Sequence, residues 1–163
     1  MKKMMIFLVS MFTVFLLAAC GGNNAPPDVS GMSAQEAAEA AVEFSGAILT
    51  EITVHENRGR FEGGFNLVNI NLETRERGTH EWERRTMYEQ SIDILRVLQG
   101  HEYIDEVRIS FVNPRWGTFN VVNLTFSADT LNGIDFDNIN PRSDELHQAA
   151  DSYMLNINYR DLY

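Results

Sequence analysis

ILTEITVHENRGRFEGGFNLVNINLE, residues 48–73, is the stretch on which the fold turns. Ile48, Thr50, Ile52 and Val54 recur at every second position, with Glu51, Thr53 and His55 between them. From Phe65 the alternation returns, with Val68, Ile70 and Leu72 on one side. A period of two is the mark of a strand with one buried face. Between the two runs HENRGRFEGG carries turn residues, so the stretch predicts a hairpin with a long loop.

Working outward, Ser33-Ala34-Gln35-Glu36 forms a capping box. Ala37, Ala40, Ala41 and Phe44 follow at helical spacing, and Gly46 stops the helix. A face made mainly of alanine suits close packing on a sheet. Downstream, a second helix is predicted from Thr79 to Gln99, with Met87, Tyr88, Ser91, Ile94, Leu95 and Leu98 on one stripe and Gly100 at its end. Val107, Ile109 and Phe111, the turn Asn113-Pro114-Arg115-Trp116-Gly117, and Val122, Leu124 and Phe126 give a second strand pair. A last helix is expected from Ser143 to Met154, with Leu146, Ala149, Ala150 and Tyr153 on one face. Helix-strand-strand thus occurs twice before a closing helix. The expected fold is α+β: a four-stranded, mainly antiparallel sheet with helices on one face.

The first 19 residues have a different character. Lys2 and Lys3 precede a nearly unbroken apolar run from Ile6 to Leu17, followed by Ala18-Ala19 and the chain's single cysteine, Cys20. Positive charge, apolar core and small residues in that order make a secretory signal, and the run is short and interrupted for a permanent span. Leu17-Ala18-Ala19-Cys20 resembles the lipobox of bacterial lipoproteins. That resemblance implies cleavage before Cys20, lipidation of its thiol, and a membrane anchor on the extracytoplasmic side. One acyl chain holds a protein only marginally, so several chains on one residue make a stable anchor. Residues 20–32, rich in Gly, Asn and Pro, read as the lipidated cysteine and a flexible tether, and residues 33–163 as one domain.

Charge narrows the partners. The chain has 13 basic and 23 acidic residues, and both lysines lie before Cys20. Residues 20–163 therefore carry 11 arginines against 23 carboxylates, a net of −12. An acidic, lysine-free domain argues against nucleic acid, against electrostatic docking on anionic lipid, and against Schiff-base or P-loop chemistry. With Cys20 committed to lipid, disulfides, thiolate metal sites and a cysteine nucleophile are also excluded.

Catalytic motifs are missing. His55, His80, His101 and His147 show no metal-ligand spacing and read as surface residues near loops and helix ends. No Gly-x-Ser-x-Gly or Ser-x-x-Lys occurs. Glu81 with Glu83, and Asp105 with Glu106, read as solvated faces in so acidic a chain. Asp135, Asp137 and Asn140 offer hard oxygen ligands for calcium. Their segment departs from the EF-hand loop pattern, however, and reads first as a turn in which Ile134 and Phe136 plug into the core. Trp82, near a helix start, and Trp116, in a turn, sit where no core residue is needed and are the candidate ligand contacts.

A second resemblance covers more of the chain. VHENRGRFEGGFNLVNINLE, the helix after it, and LTFSADTLNGIDFDNI with AADSY resemble an uncharacterised domain of surface lipoproteins from Gram-positive bacteria. That domain's pattern has Ile-Asn-Trp-Asp-Asn-Phe where this chain has Ile134 to Ile139. It has Ala-Asp and then an aromatic where this chain has Ala150-Asp151 and Tyr153. Here Asp135 and Phe136 replace the Asn and Trp. The resemblance implies an envelope location and one domain, and brings no activity. The expected function is a non-catalytic, lipid-anchored binding module, without cofactor, contacting an envelope protein or glycan. The alternative is a small envelope hydrolase or carbohydrate-active protein using a carboxylate pair that the sequence does not single out.

Overall fold

A computed structural model of the chain describes residues 25–56, 66–75, 78–116 and 119–156. The elements run α1 (Ala34–Ser45), β1 (Ile48–Glu56), β2 (Asn66–Glu73), α2 (His80–Leu98), β3 (Glu106–Val112), a 3-10 turn (Pro114–Trp116), β4 (Asn120–Ser127), α3 (Ala128–Gly133), α4 (Glu145–Ala149) and β5 (Ser152–Leu155). The fold is α+β.

Local chemistry sets the first helix as expected. Ser33 accepts from Glu36 N–H while Glu36 accepts from Ser33 N–H, so two amide groups left unpaired by the first helical turn find partners. At the other end Gly46 adopts φ +63°, a conformation that costs a Cβ-bearing residue strain, and its N–H returns to the Glu43 carbonyl.

The sheet differs from the expectation in two respects. It has five strands, in the order β1-β2-β3-β4-β5, and it is mixed. β1–β2, β3–β4 and β4–β5 are antiparallel, but the central β2–β3 pair is parallel. The reason lies in α2, which carries the chain from the end of β2 back to the start of β3 as a crossover. The two helix-strand-strand segments therefore meet along a parallel seam, held at its entry by Asp105. This residue's carboxylate accepts from Asn66 N–H at 2.7 Å, and its own N–H donates to the Asn66 carbonyl at 3.1 Å.

A fifth strand takes the end of the expected closing helix. Helix α4 covers only Glu145–Ala149, and Ser152–Leu155 pairs instead with Thr125–Val122 of β4. Two forces outweigh the helical spacing of Leu146, Ala149, Ala150 and Tyr153. β4 has an edge to fill, and Asp151 fastens the chain there by accepting from Ser127 N–H and from the Thr130 hydroxyl at 2.6 Å. The same bonds hold the start of α3, which the sequence reading did not anticipate.

The register aligns Val68, Ile70 and Leu72 with Val107, Ile109 and Phe111, and these with Phe126, Leu124 and Val122. All nine are buried and share one core with Ala37, Ala38 and Ala41 of α1 and with Met87, Ile94, Leu95 and Leu98 of α2. The opposite sheet face is polar, built from Asn69, Asn71, Arg108, Asn123 and Thr125. There Arg108 reaches Glu106 at 3.2 Å and the Thr125 hydroxyl at 3.4 Å.

Candidate functional site

Because β2 and β3 are parallel, their carboxyl ends lie side by side: Glu73 pairs with Val112, and Thr74 N–H donates to the Val112 carbonyl at 2.9 Å. The chain leaves β2 toward the start of α2 and leaves β3 into the 3-10 turn. The space between these two exits is an open cleft of about 780 Å³, lined by Ile48, Glu73, Thr74, Arg75, Trp82, Pro114 and Arg115. Ligands of α/β units commonly bind in this position, outside the carboxyl ends of parallel strands and next to a helix N-terminus.

Trp82 is placed by the start of α2. The Thr79 hydroxyl caps that start by accepting from Trp82 N–H at 3.3 Å. Gly78, at φ +112°, lies beneath the indole, where a Cβ would come within 3.5 Å of Trp82 Cδ2 and Cε3. Backed in this way, the side chain remains 40% exposed. An amphipathic ring fixed on one side and open on the other is suited to recognition.

The cleft has polar groups of three kinds. Arg75 donates to the Gly46 carbonyl, a neutral partner, so its charge is available in an otherwise acidic domain. Arg115 brings a second cation, and its N–H donates to the Asn113 side-chain oxygen at 2.9 Å, which shapes the turn. Glu73 opposes them with one carboxylate. Thr74 is 2% exposed and its hydroxyl oxygen has no hydrogen-bond partner. The partial positive charge at the start of α2 is offset by Glu81 and Glu83 in its first turn.

The structure thus brings Trp82 to the turn that carries Trp116, whose backbone forms the last residue of the 3-10 segment. Arg75, Arg115, Glu73 and Thr74 were not singled out from sequence. Their convergence depends on the parallel pairing of β2 and β3. Cys20 lies outside the described residues, as do residues 1–24 as a whole.

The Asp135, Asp137 and Asn140 segment is a turn with its oxygens engaged. Asp135 accepts from Asp137 N–H at 3.2 Å and from the Asn138 amide at 2.7 Å. Asp137 pairs with Arg96 at 3.1 Å, and Asn140 accepts from Arg142 N–H at 2.9 Å. Phe136 is buried and Ile134 packs against the core. Among the described residues, no group of three or more His, Cys, Asp or Glu side chains is arranged to hold a metal.

Two residues expected at the surface are buried instead. Glu83 is 3% exposed, on the inner side of α2. His147 sits in a polar network, with Nδ1 at 2.8 Å from the Tyr88 hydroxyl and its ring centroid 4.5 Å from that of Tyr153. Asp144 lies 3.8 Å from the same Nδ1 and 3.3 Å from Arg84 Nη1. Burial pushes the His147 pKa below the ordinary histidine value; the Arg84 charge acts in the same direction and the Asp144 charge against it. The imidazole is therefore neutral at pH 7, and Nδ1 shares a hydrogen bond with the Tyr88 hydroxyl whose direction follows the tautomer.

Elsewhere a smaller cleft of about 510 Å³ separates residues 27–31 from the turn after α2, at Val97 and Gln99–Glu102. Asp93, on α2, is the carboxyl whose pKa is raised, by burial first and by Glu89 in addition, while Arg96 at 3.6 Å lowers it. It lies outside both clefts. Among the described residues no helix is long and apolar enough to cross a membrane. No family model, curated protein or solved structure matches the chain.

Proposed function

We propose that the chain is a lipid-anchored extracytoplasmic lipoprotein whose domain is a non-catalytic binding module, with the cleft between the β2 and β3 exits as its ligand site. The observation that carries the binding reading is the cleft's composition. It combines an exposed, backed indole with Arg75 and Arg115 at the carboxyl ends of a parallel strand pair. Glycoside hydrolysis by a carboxylate pair needs two convergent carboxyl groups, and among the described residues Glu73 is the carboxylate of this cleft. The lipid anchor rests on Leu17-Ala18-Ala19-Cys20 and the signal before it.

The anchor is tested by fractionating cells that make the Cys20→Ser variant. The variant leaves the membrane fraction; retention equal to that of the unaltered chain overturns the anchor. The ligand site is tested with a photo-reactive side chain at Ile48, which lines the cleft, and at Glu39 on the exposed side of α1. The reading requires adducts on living cells from position 48 that position 39 does not form.

A further inference from the structure

Among the described residues, the cleft continues into a sheet edge with no second strand neighbour. β1 is the first strand in the sheet order, so among the described residues it has a strand neighbour on one side only. It is nine residues long, and its first two, Ile48 and Leu49, are 42% and 44% exposed. An edge of this length presents outward N–H and C=O groups as a template for another strand. Ile48, where that edge begins, is itself a wall of the cleft that holds Arg75, Arg115 and Trp82.

Direction then decides what fits. A strand added antiparallel to β1 runs from the Glu56 end toward Ile48, and its carboxyl terminus arrives in the cleft. The register of β1 shifts between Leu49 and Glu51, although Ile48 and Leu49 still pair with β2, so the strand is irregular at that point. A guest therefore pairs along Glu51–Glu56, and its last residues continue past Leu49. There a terminal carboxylate meets the Arg75 and Arg115 side chains, which favour an anion.

We propose that this edge and cleft together bind the free carboxyl terminus of a partner polypeptide, added as a strand to β1, with its last side chain against Ile48 and Trp82. The site's charge balance matches this occupant. Two arginines opposed by Glu73 suit one monoanionic group better than a polyanion. The Glu51 carboxylate on β1 favours basic side chains upstream of the terminus. Main-chain pairing supplies affinity, and the terminal pocket supplies specificity.

This inference rests on the reading of the cleft as a ligand site. It is tested by panning random octapeptides with free carboxyl termini over the full-length chain in detergent, alongside the same pool amidated. Binders come from the free-acid pool, with an apolar last residue and Lys or Arg upstream. Amidating a recovered peptide, or using the Arg75→Gln variant, weakens binding at least tenfold. Methylating alternate backbone nitrogens of the peptide does the same. No binders in the free-acid pool, or amidation and Arg75→Gln both leaving affinity within twofold, overturns the proposal. The adducts formed at position 48 on living cells separate the two levels. Adducts destroyed by protease support a polypeptide partner. Adducts resistant to protease but destroyed by glycosidases sink the peptide proposal and leave the binding module standing, whereas no adduct at all sinks both.

Discussion

Arg75 and Arg84 stand nine residues apart in the chain and on opposite sides of one distinction. Arg84 is buried to 1% exposure, 3.3 Å from Asp144 and 5.7 Å from the Tyr88 ring, inside a network that also encloses His147. Arg75 faces an open cleft and donates to a neutral carbonyl. A polar group closed in by its own chain contributes to folding, and one whose charge is left unmatched is suited to something outside. The contrast also explains why the Tyr88-His147-Asp144 set, which has the residue types of a catalytic relay, is assigned no chemistry. Both Tyr88 and Asp144 address the same ring nitrogen, and Tyr88 and His147 are buried while the Asp144 side chain is 45% exposed.

The strongest way to break the contrast is to truncate both arginines. Arg84→Ala removes a large buried side chain and its ion pair, and should lower stability by about 3–5 kcal/mol. Arg75→Gln should change it by no more than about 0.5 kcal/mol. Urea unfolding at constant m reads both, and equal losses would erase the distinction.

Next in size is Gly78→Ala. At φ +112° and with the added methyl 3.5 Å from the indole, it should cost about 1–2 kcal/mol and shift the Trp82 fluorescence. An unshifted spectrum would show that Gly78 does not set the ring's position.

Tyr88→Phe leaves the imidazole without its buried hydrogen-bond partner, at a cost of about 1–1.5 kcal/mol in the same unfolding assay. A loss near zero would mean that this bond does not stabilise the fold.

The smallest effect is a pH dependence. His147 takes up its proton at a lower pH in the folded chain than in the unfolded one. Between those two pKa values the unfolded state binds more protons, so stability falls as pH drops below about 6.5 and is fully present above it. His147→Gln should flatten that slope between about pH 5 and 7, and an unchanged slope would assign it to other groups.

What could be read from the sequence divides along the same line between local and distant. The capping box at Ser33, the Gly46 stop, the α2 stripe and the alternations of β2 to β4 are properties of neighbours in sequence, and each is found in the structure, whereas in β1 only Ile52 and Val54 of the expected face pack on the core and Ile48 and Thr50 are exposed. The parallel seam, by contrast, is set by α2 as a crossover, and period-two patterning is the same for parallel and antiparallel neighbours. β5 was hidden because Leu146, Ala149, Ala150 and Tyr153 keep helical spacing, while the edge of β4 and the Asp151 bonds to Ser127 and Thr130 that override it lie elsewhere in the chain. The site followed suit. Each tryptophan could be singled out by itself, but Arg75 and Arg115 join Trp82 only once the carboxyl ends of β2 and β3 are adjacent. His147 was misplaced because its burial depends on Tyr88, 59 positions away.

The parallel seam also has a consequence in time. β1–β2 and β3–β4 pair segments that follow one another along the chain, and such contacts close quickly. β2 and β3 meet only after α2 has folded back between them, and the Asn66–Asp105 bond that holds their entry joins residues 39 apart. Loop closure over that distance is costly before any contact repays it. The two pairs are therefore expected to form early and separately, with their joining as the slow step. The cleft, which opens where β2 and β3 end, would then be among the last features of the molecule to exist.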